Sequence, residues 1–125
     1  MFLTVEEFEQ LVDQALAELP PFFAERLANV AVMVRPWPTH NELERAGIPA
    51  GHTLLGLYHG IPQTVRTSNY NLVPPDTITL YQGPIERAAG PSLAAIRNQV
   101  RRTVLHELAH HFGIDDDRLR ELGAY

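Results

Sequence analysis

The chain contains no cysteine. That excludes a disulfide framework and any thiolate metal site, so a bound metal would have only nitrogen and oxygen donors. No apolar run reaches the roughly 18 residues that would point to a membrane span. The N-terminus, MFLTVEEFEQ, lacks a positively charged stretch followed by a long apolar one, which argues against a secretory signal and makes the cytoplasm the expected compartment. There is no basic stripe either. The formal net charge is −5, and the basic residues are scattered apart from Arg101-Arg102, so nucleic acid is not an expected partner. Repeats and low-complexity tracts are also missing. What is present is 125 residues, 45% of them hydrophobic, enough for a single domain over residues 1–125 with one modest core.

One stretch carries most of the chemistry. Residues 106–116 read HELAHHFGIDD, an H-E-x-x-H-x-x-G-x-x-D pattern. Residues i and i+4 of a helix lie one turn apart on the same side, so His106 and His110 can address one point in space. A catalytic zinc takes three protein ligands and keeps a fourth position open. His106, His110 and a carboxylate meet that count. Glu107, next to the first histidine, stands where the general base for a zinc-activated water belongs. The carboxylate expected on register is Asp116, with Asp115 and Asp117 as competitors. His111 points about a third of a turn away from the histidine pair and reads as a flanking polar residue.

The flanking pattern supports a helix from about Pro91 to Gly113. At 100° per residue Val104, Leu105, Leu108, Ala109 and Phe112 share one face, with His106, Glu107 and His110 opposite. Arg97 and Arg101 fall towards the apolar side, which predicts that the first turns project beyond the core. Gly113 is placed to end the helix in the left-handed conformation and turn the chain back. Asp116 then reads both as a ligand and as the N-cap of a short final helix to about Leu122.

Elsewhere Thr4-Val5-Glu6-Glu7 is a capping box ahead of an amphipathic helix with Phe8, Leu11, Val12, Ala15, Leu16 and Leu19 inward. Phe22–Leu27 suggests a second short helix after Pro20-Pro21. Val30–Val34 reads as a buried strand, and Thr39–Arg45 as a helical turn capped by Thr39 or Asn41. Leu54–Tyr58 and Ile61–Arg66 read as a hairpin about His59-Gly60. Thr67–Asp76 reads as a polar loop and Thr77–Tyr81 as another strand. Gln82–Gly90 reads as a connection, with Glu86 a solvated loop charge in preference to an anchor for the motif helix or for a histidine N–H. Helices around a small mixed sheet make an α+β layer fold.

At these residues the sequence resembles the zincin-like metallopeptidases. HELAHHFGIDD is similar to the metzincin-type motif with Asp in place of the third His. More closely, the chain resembles the small bacterial zincin-like family called minimal zincins, through RTVLHELAHHFGIDDDRLREL at 102–122, ITLYQGPIERAA at 78–89 and LLGLYHGIPQT at 54–64. The resemblance implies a minimal zincin fold, in which a backing helix and an active-site helix cover one face of a small mixed sheet. It implies Zn2+ held by His106, His110 and Asp116, with Glu107 as general base.

The implied activity is peptide-bond hydrolysis on short or unfolded peptides. The alternative is a zincin-like module that binds zinc and a partner with little turnover. The substrate is expected to add as a strand to a sheet edge, with Ile61–Arg66 as the expected edge. Candidate transition-state stabilisers are His59, Tyr70 and Tyr81. Larger metzincins carry a subdomain with a Met-containing turn beneath the metal. Here nine residues follow Asp116, and Met1 and Met33 both lie upstream. An open cleft is therefore expected, one that self-association or a protein partner would complete.

Overall fold

The structure, a computed structural model, describes residues 2–60 and 76–121, with the side chain of Asp116 outside that description. The first helix, α1 (Val5–Ala17), starts where the capping box predicts. The Thr4 hydroxyl accepts from Glu7 N–H at 3.1 Å, and the Glu7 carboxylate accepts from Thr4 N–H at 2.9 Å. Two of the helix's orphan donors are thereby satisfied. A short helix α2 (Pro21–Leu27) follows, with Pro21 in its first turn, where the missing N–H costs nothing.

Strand β1 (Val30–Arg35) leads to α3 (His40–Arg45), capped by Thr39 rather than Asn41. Strand β2 (Gly56–His59) begins two residues later than the sequence predicts. The expected hairpin partner, 61–66, and the 67–75 part of the expected loop lie outside the described residues. Strand β3 (Asp76–Tyr81) runs parallel to β1 and antiparallel to β2, giving the order β1-β3-β2. The register pairs Val32 with Ile78, and Ile78 with Tyr58.

The segment expected to be a mere connection is a helix, α4 (Gln82–Ala89). Gly83 and Pro84 disguise it, but both sit in its first turn, where proline removes no helical hydrogen bond. Glu86 is accordingly not a solvated charge. It is buried, accepts from the backbone N–H groups of Phe2 and Leu3, and receives Gln82 Nε2 at 2.6 Å. These bonds tie the start of the chain to α4.

The motif helix, α5 (Leu93–His111), is capped by the Ser92 hydroxyl, and α6 (Asp116–Glu121) follows. The inward stripe of α5 is Ile96, Val100, Val104, Leu105, Leu108 and Ala109, all essentially without exposure. It packs along α1 and onto Ile78 and Leu80 of the sheet. Burial of each such aliphatic side chain contributes roughly 1.5–3 kcal/mol. The first turns of α5 do not project beyond the core: Ile96 and Val100 are fully buried, and Arg97 reaches Glu18 at 3.7 Å. Phe112, expected on the apolar face, is 45% exposed because the helix has already reached its cap there. The α1 and α5 layer covers one face of the sheet, as an α+β minimal zincin requires.

Candidate metal centre

The end of α5 is built by local hydrogen bonding. Gly113 has φ +68°, in the left-handed region. Its N–H bonds His110 O at 3.3 Å, and the next N–H, of Ile114, bonds Ala109 O at 2.7 Å. This is a Schellman stop, and it reverses the chain straight after the second histidine. Among the three aspartates that follow, Asp115 is the N-cap of α6: its Oδ1 accepts from Arg118 N–H at 2.9 Å. The expected cap, Asp116, is instead the first helical residue. Asp117 pairs with Arg120 at 3.6 Å.

His106 and His110 lie one turn apart on α5, the first half-buried and the second exposed. Between them Glu107 turns towards the edge of the sheet. Its Oε1 accepts from Tyr58 N–H at 2.9 Å. Tyr58 lies on β2, an outer strand of the described sheet, and this N–H points away from β3. Burial pushes the Glu107 carboxyl above its ordinary value, opposed by the Tyr58 N–H and by the nearby His110. The close approach of strand and helix depends on Gly56. A Cβ there would stand 2.8 Å from Thr103 Cγ2 and 3.6 Å from Glu107 Cγ.

A second group of side chains locks this edge. Tyr58 Oη donates to Asp76 Oδ2 at 2.6 Å. His111 stacks on the Tyr58 ring, with centroids 4.0 Å apart and an interplanar angle of 16°. His111 Nε2 lies 3.9 Å from the same Asp76 oxygen. His111 is therefore not a bystander. The signal was available, because His111 is one turn from Glu107, as His110 is from His106. Nothing in the sequence marked Asp76, whose contact with Tyr58 comes only from strand register.

Two expected stabilisers are not brought to this place. Tyr81 is buried on the other face of the sheet, where its hydroxyl donates to Glu42 Oε2. His59 lines a groove on that same face. Tyr70 lies outside the described residues. Among the described residues no three His, Asp or Glu side chains form a metal-holding group. His106 and His110 are described, and the Asp116 side chain is not.

The profile of the zincin-like metallopeptidase family matches residues 27–124. The chain belongs to the zincin-like metallopeptidase family. The match takes in all three strands and α5, leaving only α1 and most of α2 ahead of it. A conserved hypothetical protein from Thermus thermophilus has a similar solved structure, with TM-score 0.55 and 29% sequence identity. The alignment covers 88% of this chain and 94% of that one. No curated protein matches the chain.

Proposed function

We propose that this zincin-like chain is a zinc-dependent peptidase acting on extended or unfolded peptides. The observation that carries the reading is Glu107 itself. It follows one histidine of an i, i+4 pair, and its carboxylate sits on an outward N–H of the sheet edge. A base is thus held where a peptide strand would lie.

The donor set suits zinc. Two imidazoles one turn apart, in a chain without cysteine, offer the nitrogen ligands of a His-His-carboxylate site. Asp116 is proposed as the carboxylate. The occupation of its neighbours supports that choice, since Asp115 is used as a helix cap and Asp117 faces Arg120. The ligands would then be His106, His110 and Asp116. Zinc held there would supply Lewis acidity to the attacking water and the scissile carbonyl.

The chain's own residues do the rest. Glu107 takes the proton of the attacking water and returns it to the departing amine nitrogen. A carboxyl raised by burial is closer to the working pH and serves both transfers better. The peptide would lie along β2, pairing with the outward backbone groups that Glu107 does not occupy. The Tyr58–Asp76–His111 group holds that strand against α5.

The test combines metal analysis of the purified chain with digestion of a peptide library. Zinc at one per chain, with cleavage lost in Glu107→Gln and zinc retained, is the expected result. Zinc retention with identical cleavage by Glu107→Gln would remove Glu107 from the reaction. Zinc retention with no cleavage by either protein would leave a zinc-binding module.

A further inference from the structure

The helix side of the sheet is filled, and among the described residues the other face is covered at one end, by α3. Beside α3 lies a groove of about 470 Å³. Its walls include Arg35 of β1, Arg45 of α3 and His59 of β2, with Leu57, Thr77 and Thr79 also lining it. The alternation of the strands explains this set. Gly56 and Tyr58 turn to α5, so Leu57 and His59 turn the other way, as do Thr77 and Thr79.

The charge of the groove runs against the charge of the chain, which is −5. Two guanidiniums line it. Arg45 has no ion pair among the described residues. Arg35 has no close ion pair there but lies near enough to Glu42 to help the Tyr81 hydroxyl hold its carboxyl below the ordinary value. Some arginines elsewhere are engaged, Arg97 with Glu18, Arg118 with Glu121, Arg120 with Asp117, and Arg87 over Trp37. The carboxylate in the groove's lining, Glu42, has both oxygens occupied. Oε1 accepts from Thr39 N–H at 2.9 Å and Oε2 from the Tyr81 hydroxyl. It is a fixed part of the α3 cap.

We infer that this groove binds a carboxylate, and that the peptide taken along β2 carries an acidic side chain beside the residue that faces Glu107. The inference rests on the reading of β2 as the strand that receives the peptide. Side chains of an added strand alternate between the two sheet faces. A peptide residue on the α5 side faces Glu107, and its neighbours in the peptide fall on the side of Leu57 and His59. A long acidic side chain there enters the groove on the side of Arg45, Thr77 and Thr79, with Arg35 at its far end on β1 adding to the positive field, and a guanidinium's planar donor fork matches a carboxylate.

The test uses the full chain carrying Glu107→Gln, so that bound peptide is not consumed. Two fluorescent peptides are compared by anisotropy, identical except for one central Glu or Gln. The Glu peptide is expected to bind about tenfold tighter at low ionic strength, as one charge-assisted pair allows, with the preference shrinking in high salt. Arg45→Gln should remove most of that preference and Arg35→Gln a smaller part of it, while Arg97→Gln, which changes net charge equally, should keep it. Thermal melts of each variant confirm folding, and exposed Arg45 serves as the variant least able to disturb the core. Equal affinity for the two peptides, no binding of either, or a preference that survives both groove variants overturns the inference. Cleavage by the wild-type chain is scored separately. Acid preference without cleavage defeats only the peptidase reading, and cleavage without acid preference defeats only the groove.

Discussion

Glu107 carries a conflict between burial and charge. Burial raises its carboxyl above the ordinary value of 4.5, and only the Tyr58 N–H and His110 oppose this. A carboxyl whose folded value is raised stabilises the fold most below its unfolded value, and that contribution fades as pH rises through the folded one. In the metal-free protein at neutral pH, Glu107 is therefore a cost. Glu107→Gln keeps an oxygen for Tyr58 N–H and removes the charge. It should raise the melting temperature of the metal-free protein at pH 7.5, with the gain vanishing as pH falls below the ordinary glutamate range. A melting temperature that drops on this substitution at pH 7.5 would show that the buried charge is better compensated than this. The same substitution should lower turnover by roughly 10²–10⁴-fold, the usual range for a lost general base. The acid limb of the wild-type rate profile should lie above the ordinary glutamate value, because the base works only when ionised. For the metal, His106→Ala and Asp116→Asn should both lower zinc stoichiometry in equilibrium dialysis, whereas Asp117→Asn should leave it unchanged. Equal loss in Asp117→Asn would move the third ligand.

Elements were legible wherever a short-range device marks them. Thr4 and Glu7 announce α1, Thr39 and Glu42 announce α3, and Gly113 announces the end of α5. The apolar runs of β1 and β3 mark both strands, although β1, expected to be buried, is an outer strand of the described sheet with no fully buried residue. α4 was hidden because Gly83 and Pro84 are breakers in a helix interior but harmless in a first turn. The Asp115 cap was hidden by its neighbours, since three consecutive aspartates offer three equally good capping oxygens. The Tyr58 N–H and Asp76 depend on register between distant strands, which no local pattern encodes. The joint between β2 and α5 gives a test at this scale. Gly56→Ala would push a methyl to 2.8 Å from Thr103 Cγ2, with Thr79 O behind it at 3.3 Å. The strand must then move off the helix. A loss of about 1–3 kcal/mol in denaturant melts is expected, as for overpacking generally. Chemical shifts of the Tyr58 amide should move with it, and unchanged shifts would mean that the helix yields instead.

For the molecule as a whole, the core is assembled without the proposed ligands. Phe8, Phe23, Ile78, Leu80 and the inward stripe of α5 form one cluster on the side of α5 away from His106 and His110. Removal of zinc by a chelator should leave the far-ultraviolet circular dichroism essentially unchanged and lower the melting temperature only by the linkage of metal to the folded state. Collapse to a random coil on chelation would make the metal structural. Leu108→Ala, in the middle of the cluster, should by contrast cost about 2–5 kcal/mol with or without metal. No helix among the described residues is long and apolar enough to cross a membrane.

The parallel pairing of β1 with β3 has a consequence for the order of assembly. Val30 meets Asp76 only after the chain between them, with α3 and β2, has been brought round. Closing so long a loop is entropically costly, and contacts distant in sequence slow folding. Helix α5 needs no such closure, so the histidine pair can be in place on its helix while the strand that holds Glu107 is still unpaired. Metal affinity and catalytic competence should then appear at different times after dilution from denaturant. Two histidines on a nascent helix would capture zinc weakly and early. The edge that positions the base, and with it any turnover, would arrive with the sheet.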